Sequence, residues 1–312
     1  MKREKELSMF FPDRLRAEWE RLRFDKNKVR EIRIRANQPV MILAEEEITL
    51  AFVYRDRELE DIFQYLCHDS VYAYDEERRQ GYLTVEGGHR IGITGELVLS
   101  EGRYIVKYVK YMNIRIAHEM INIAKNVMPY LYHECVKGQV FSTLIISPPG
   151  IGKTTLLRDI IRLLSDGCCG QRGCNVGVVD ERGELSGAYR GSASLDCGKR
   201  TDLVTGGTKK YGIDILVRTF SPRVVAIDEI GKYEDADAVL HAGVSGCSVL
   251  ATVHGSSIAD ISQKEEIEKI LRLKLIDRFI VLSINERMDR YFQIFDREGK
   301  QLCGKNLLQV PA

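Results

Sequence analysis

From about residue 137 onward, the chain alternates continuous apolar runs with loops and amphipathic stretches. VFSTLIIS (140–147), NVGVVD (175–180), RVVAID (223–228) and CSVLATV (247–253) lack the polar alternation of a half-exposed strand. Each is therefore expected as a strand covered on both faces. TTLLRDIIRLL (154–164) has apolar residues at helical spacing and follows the first run after a Gly-rich turn. Strands alternating with helices predict a parallel α/β sheet with ligands at the carboxyl ends of its strands. The tail from 277 to 303, DRFIVLSIN and then DRYFQIFD, reads as an added hairpin.

Before residue 137 the pattern is different. RLRAEWERLR (14–23) is an amphipathic helix after Pro12, and VREIRIR (29–35) alternates with the period of two of a half-buried strand. Gln38-Pro39 interrupts it before a second strand, VMILA (40–44), and residues 55–68 are helical in pattern. YLTVEGGHRIGITGELVLSEGRYIVKYV holds strand runs punctuated by Gly87-Gly88, Gly95 and Gly102, which predicts antiparallel hairpins. The expected organisation is a small α+β domain over 1–117, a linking helix over 118–136 and the α/β domain over 137–312.

Composition narrows the field. The chain has 312 residues, 44% of them hydrophobic, with 46 Lys+Arg against 45 Asp+Glu. A net charge of +1 gives no support for a general polyanion-binding surface. No apolar run approaches the roughly 18 residues that span a bilayer. The N-terminal MKREKELSMFF is as basic as the start of a signal peptide, but Pro12, Asp13, Arg14 and Arg16 follow and leave no apolar core. The expectation is a soluble, cytoplasmic protein. Eight cysteines in this length fall far below the density of a disulfide scaffold. Cys168, Cys169 and Cys174 cluster in GCCGQRGC, but no second ligand pair completes a zinc site, so a Gly-rich turn with free thiols is expected there.

The strongest chemical signal is SPPGIGKTTLLRD (147–159). A Gly-rich turn between a buried strand and a helix forms a phosphate-binding loop, in which backbone N–H groups and the helix N-terminus cradle the phosphates. The loop is Pro149, Gly150, Ile151, Gly152, Lys153, Thr154 and Thr155. Lys153 is expected to reach the outer phosphates, and Thr154 to supply the hydroxyl for Mg²⁺, with Thr155 a second polar contact. The usual pattern has Gly where this chain has Ser147, and Pro148-Pro149-Gly150 can still make the turn.

RVVAIDEIG (223–231) ends a strand with two acids, 75 residues after Lys153. Asp228 is expected to hold Mg²⁺ directly or indirectly, and Glu229 to orient or deprotonate an attacking water. The intervening NVGVVD points to a P-loop architecture with an extra strand between the two motifs, in which the acid beside Asp228 is the base of a hydrolase. CSVLATVHG puts Thr252 and His254 past a strand end, as sensors of the terminal phosphate or of the water, or as a satisfied loop histidine. In VVDERGELSG, Asp180, Glu181, Arg182 and Glu184 either couple nucleotide to movement or form a solvated charge cluster. Arg200, Arg218 and Arg223 are candidates for an arginine finger reaching a neighbouring subunit.

These segments, SPPGIGKTTLLRD, VVDERGELSG, KRTDLVTGG, VRTFSPRVVAIDEIG and ATVHG, together resemble the stage III sporulation protein AA family. VREIRIRANQPV, GHRIGITGELV and NIRIAHE resemble its N-terminal region. That family is similar to the ATPases of type II and type IV secretion and pilus systems, with an N-terminal domain before a RecA-like core. The resemblance implies an oligomeric, hexameric ATPase in the mother cell of a spore-former, peripheral to the membrane. Its partners would be membrane proteins of the same operon, forming a channel to the forespore. On matching positions it makes Lys153 and Thr154 nucleotide ligands, Asp228 the Mg²⁺ acid and Glu229 the base.

Two other classes stay open at this level. Residues 1–35 carry 12 Lys/Arg against 7 Asp/Glu, with Phe10, Phe11, Trp19 and Phe24 interleaved. That mixture suits a nucleic-acid-dependent ATPase using stacking and phosphate contacts, or an amphipathic helix with core-facing aromatics. A nucleotide-gated switch with negligible hydrolysis is the third, against which Glu229 argues.

Overall fold

The computed structural model describes residues 7–25, 28–67, 79, 81–100, 102–133, 135–285 and 289–307. Residues 1–6 of the basic N-terminal stretch, His68 at the end of the expected helix, and 286–288 in the C-terminal tail lie outside the described residues. The contacts divide the chain into two units, Met1–His118 and Glu119–Ala312.

The first unit is a six-stranded antiparallel sheet with helices on one face. Its helices are α1 (Asp13–Glu20) and α2 (Asp56–Leu66), and its strands are β1 (Glu31–Arg35), β2 (Pro39–Leu43), β3 (Glu47–Val53), β4 (Tyr82–Val85), β5 (His89–Ser100) and β6 (Arg103–Arg115). The spatial order is β3-β2-β1-β6-β5-β4. Period-two patterning sends Ile32 and Ile34 of β1 fully into the core and leaves Arg33 outside. Leu59, Ile62, Phe63 and Leu66 form the buried stripe of α2, whose start is capped by the Glu58 carboxylate accepting the Arg55 N–H at 2.9 Å.

The aromatics of the N-terminal segment lie inside this unit. Phe10, Phe11 and Trp19 are buried, and Phe24 packs partly buried on the same core. Phe11 stacks on Trp19 with ring centroids 4.3 Å apart, and the Trp19 indole donates to the Tyr54 hydroxyl at 2.8 Å. The stacking platform of the nucleic-acid reading is therefore corrected: Phe10, Phe11 and Trp19 are buried core residues, and Phe24 packs against that core.

The second unit is an eight-stranded sheet of β7 (Thr143–Ser147), β8 (Val176–Asp180), β9 (Thr201–Thr205), β10 (Val224–Ile227), β11 (Ser248–His254), β12 (Arg278–Ile284), β13 (Arg290–Asp296) and β14 (Gln301–Asn306). Its order is β14-β13-β12-β7-β11-β10-β8-β9. The six strands from β12 to β9 are parallel, and β13 and β14 close the edge antiparallel. The expected C-terminal hairpin is thus β12–β13, extended by a third strand. Helices α3 (Lys153–Asp166), α4 (Lys209–Ile215), α5 (Tyr233–Val244), α6 (Ile258–Ile261) and α7 (Glu265–Arg272) accompany the sheet. Leu156, Leu157, Ile160 and Ile161 of α3 belong to one apolar cluster. Ala236 and Val239 of α5 and Ile267 and Ile270 of α7 belong to another. Burial on both faces explains the continuous apolar runs within β7, β8 and β10.

Two expectations change. The strand standing between β7 and β10 is β11, which comes later in the sequence, whereas NVGVVD forms β8 on the far side of β10. The linking helix over 118–136 is not formed. Among its described residues that segment is a chain of turns around a 3₁₀ turn, Met128–Tyr130. Asn122 takes φ 67°, and the Asp159 carboxylate of α3 accepts the N–H groups of Asn122 at 3.0 Å and Ala124 at 2.8 Å. Pro129 removes a further helical donor. Ala124, Val127, Met128 and Leu131 are instead packed fully into the α3 cluster of the second unit. Among the described residues, no helix is long and apolar enough to cross a membrane.

The Phe11–Trp19 stack makes a prediction for the first unit. Truncating a fully buried aromatic costs about 3–5 kcal/mol, so Phe11→Ala should lower its unfolding free energy by that amount and shift its urea midpoint down accordingly. Fluorescence of Trp19, the single tryptophan, reads the transition.

Candidate nucleotide-binding site

The carboxyl ends of β7, β10, β11 and β8 meet at one edge of the parallel sheet. β7 passes into the Gly-rich loop, and Gly150 and Gly152 adopt φ 79° and 116°, a region that favours glycine. Gly152 caps α3, whose first residue is Lys153. Ser147 in the pattern's first glycine position is not strained. It ends β7 opposite His254, its carbonyl accepts the Gly255 N–H at 3.2 Å, and its hydroxyl donates to the Pro148 carbonyl at 2.8 Å. Pro149 is exposed at the loop tip, whereas the Ile151 side chain is buried in the core, so its backbone is what it offers the site. Thr155 is half-buried beside Thr154.

Asp228 follows β10 and is half-buried, lining a cavity. The Thr154 hydroxyl donates to it at 3.0 Å, and the Thr252 hydroxyl at 3.1 Å. Burial holds its carboxyl above the usual carboxylate range, against the pull of these two hydroxyls and of Lys153. Thr252 also accepts the Glu229 N–H at 2.9 Å, and its carbonyl accepts the Ile230 N–H at 2.7 Å. These bonds hold Glu229 at φ 39°, a left-handed conformation that a glutamate adopts only when its surroundings impose it. Thr252 is fully buried, so it braces the two acids and does not face a ligand.

The half-exposed carboxylate of Glu229 points toward Lys153 and His254. Glu229 Oε2 lies 3.9 Å from Lys153 Nζ, Glu229 Oε1 3.2 Å from His254 Nε2, and Lys153 Nζ 3.1 Å from His254 Nε2. Lys153, Thr154, Asp228, Glu229 and His254 are therefore brought together. A half-buried carboxylate and an adjacent hydroxyl, both hard oxygen donors, fit Mg²⁺.

A cavity of about 210 Å³ opens beside this group, between Asp228, Glu229, Asp180, Glu181 and Lys209. The charges of the 180–187 turn divide into two kinds. Asp180 is buried and accepts from the Ser186 N–H and hydroxyl, both at 2.7 Å, so it shapes the turn. Glu181 pairs with Lys209 at 3.1 Å, and Lys209 also contacts Asp235 at 3.1 Å. Sequence reading missed the anchor of this turn, Arg158 of α3. Its buried guanidinium donates to the Leu185 and Glu184 carbonyls. Its sequence signal is a charged residue flanked by the apolar positions of TTLLRDIIRLL.

The arginine candidates lie elsewhere within the chain. Arg223 precedes β10, five residues before Asp228 and roughly 17 Å away along an extended strand, with its guanidinium on the Gly138 carbonyl at 3.1 Å. Arg200 donates to the Ser165 carbonyl at 3.0 Å, at the end of α3 about 18 Å from Lys153. Arg218 is exposed in a π-helical segment, Leu216–Phe220. None is brought to the site by its own chain. Cys168, Cys169 and Cys174 are free thiols, and Cys168 lies 3.7 Å from the Tyr132 hydroxyl.

A Gly-rich loop at the β7–α3 junction, with a strand inserted between it and the acidic strand, defines the RecA-like P-loop class. The Legionella pneumophila ATPase DotB superposes with a TM-score of 0.57 at 15% identity, over 88% of this chain and 78% of that one. The pilus retraction motor PilT gives 0.59 at 13%, over 88% and 79%. Within that class, the chain belongs to the family described as sporulation stage III, protein AA, whose model matches residues 1–302. Stage III sporulation protein AA of Bacillus subtilis (strain 168) is 35% identical over 277 residues, covering 88% of this chain and 89% of that protein.

The burial of Asp228 makes a stability prediction. A carboxyl whose folded pKa is raised contributes most below its unfolded value, near ~3.9, and its contribution is lost as pH rises through the folded value. With EDTA present and no nucleotide, Asp228→Asn should melt above the wild type at pH 7, and the gap should narrow toward pH 4. Calorimetry across that range reads both the sign and the trend.

Proposed function

We propose that this chain is an ATP hydrolase that assembles into a ring and works as the motor of a secretion-like sporulation channel. The observation that carries the reading is the convergence of Lys153, Thr154, Asp228, Glu229 and His254 at one sheet edge. P-loop amides and Lys153 would bind the phosphates of ATP. Thr154 and Asp228 would hold the Mg²⁺ that accompanies it, an ion that neutralises charge on the β- and γ-phosphates when bound. A terminal phosphate competes with Glu229 and His254 for Lys153, and frees the Glu229 carboxylate to take a proton from water. His254, beside both, is placed to orient that water or the terminal phosphate.

Hydrolysis in this reading moves one unit of the chain against membrane proteins of the same sporulation system, from the cytoplasmic face of the mother-cell membrane. Support comes from the family membership and from the fold shared with DotB and PilT. A hexameric ring would let Arg200, Arg218 or Arg223 act on a neighbour's nucleotide. The nucleic-acid-dependent reading has lost its stacking aromatics to the core of the first unit.

Glu229→Gln should retain ATP·Mg²⁺ binding while turnover falls by roughly 10²–10⁴-fold, the usual worth of a general base. Phosphate release and calorimetric titration measure the two effects separately. Unchanged turnover would remove Glu229 from the base role, and wild-type protein without any ATP turnover would remove the hydrolase reading. Light-scattering mass with and without ATP·Mg²⁺ tests the ring: a monomer in both conditions overturns it.

A further inference from the structure

We propose that Arg290 is a further nucleotide-binding residue of this site, set to grip the α- and β-phosphates from the side opposite the hydrolytic acids. The inference rests on the ATPase reading above and adds to it a ligand contact on a different strand.

Arg290 opens β13, where it pairs with Ile284 of β12, and its carbonyl accepts the Leu307 N–H at 2.7 Å. Its backbone is thus held on both flanks. β12 runs parallel to β7 with Val281 opposite Ile146, so Leu282 to Ile284 continue beyond the end of that ladder, toward the level of the phosphate loop. From there the guanidinium reaches the loop itself. Arg290 Nη1 lies 3.7 Å from the point a β-carbon on Gly152 would occupy. Among the described residues, no carboxylate, carbonyl or aromatic ring holds this guanidinium. A half-buried cation over a phosphate-binding loop has an anionic ligand as its natural partner.

The strand order decides which part of the ligand it meets. β11 and β10 lie on one side of β7 and carry His254, Asp228 and Glu229, and Lys153 leans toward them. The reacting phosphate therefore belongs on that side. β12 and β13 lie on the other side of β7, so Arg290 faces the part of the nucleotide that ATP and ADP share. The planar fork of arginine suits two oxygens of a diphosphate better than the point charge of lysine does.

Calorimetric titration of ADP, and of ATP·Mg²⁺ in a Glu229→Gln background, tests this. Arg290→Ala should weaken both nucleotides by a similar factor, roughly tenfold or more, and Arg290→Lys should recover part of the loss. In the Glu229-containing enzyme the loss should appear in KM rather than in kcat. Adenosine binding should be unaffected, because it has no phosphate. Wild-type ADP affinity in Arg290→Ala overturns the proposal, as does a loss confined to ATP, which would place the contact at the terminal phosphate. A changed preference for ATP over GTP with unchanged tripolyphosphate binding also overturns it, by moving the contact to the base. If the wild type binds neither nucleotide, the ATPase reading falls as well, an outcome separable from a wild type that binds and a variant that binds equally. Thermal unfolding without nucleotide checks the fold, and Arg290→Gln makes the same comparison should the alanine variant not fold.

Discussion

The half-buried carboxylate of Asp228 is the constraint on which the geometry of the site depends. A carboxylate drawn partly out of water must find hydrogen-bond donors. Two threonine hydroxyls supply them, from the first turn of α3 and from β11. That solution requires β11 to stand directly beside β10, with α3 starting at the same edge. The strand order β7-β11-β10 is what satisfies the geometry. Thr252 then does a second task with the same oxygen. By accepting the Glu229 N–H it fixes the turn that aims the neighbouring carboxylate at Lys153. One buried hydroxyl thus sets the separation and direction of both acids, and a small error in its strand's register would displace both together.

This dependence explains which parts of the molecule were legible in the sequence. β7, β8, β10 and β11 were readable because burial on both faces forces continuous apolar runs. That Lys153, Thr154, Asp228 and Glu229 lie at one edge was readable because a Gly-rich loop between a buried strand and a helix, and two acids at the end of another buried strand, both mark strand carboxyl ends. What could not be read was adjacency. NVGVVD stands between the two motifs in sequence but outside them in space, since nothing in a strand's own pattern names its neighbour. The brace made by Thr252 was hidden for the same reason. β9 is half-buried along its whole length and β14 is a polar edge, so neither carries a periodic signal. The segment 118–136 misled differently. Ala124, Val127, Met128 and Leu131 have helical spacing, and a distant carboxylate, Asp159, holds the backbone in turns.

Arg158 and Asp159 show how the helix after the phosphate loop also organises what surrounds it. Adjacent on α3, they bind two separate stretches of backbone: Arg158 holds carbonyls of the 180–187 turn, and Asp159 holds amides of the 122–124 turn. Because the contacts run to main-chain atoms, the link does not depend on which charges the turns display. A shift of α3 on ligand binding would therefore carry both turns with it. Burial lowers the pKa of the Arg158 guanidinium, which remains charged at any physiological pH because an arginine begins so far above it.

The same edge concentrates a carboxylate drawn partly out of water and a glutamate at positive φ, both of which cost stability, beside two glycines at positive φ. None is needed to hold the sheet together, since the two apolar clusters on its faces do that. Their common property is that a polyphosphate with its cation would relieve or use each of them: the ion meets the carboxylate, the glycine loop wraps the phosphates, and the turn delivers Glu229. Ligand binding to the folded state alone adds RT ln(1 + [L]/Kd) to its stability, about 2.7 kcal/mol at a hundredfold excess over Kd. That gain is delivered where the strain is stored and disappears with the ligand. The two apolar clusters on the faces of the sheet supply the stability against which such an edge is maintained.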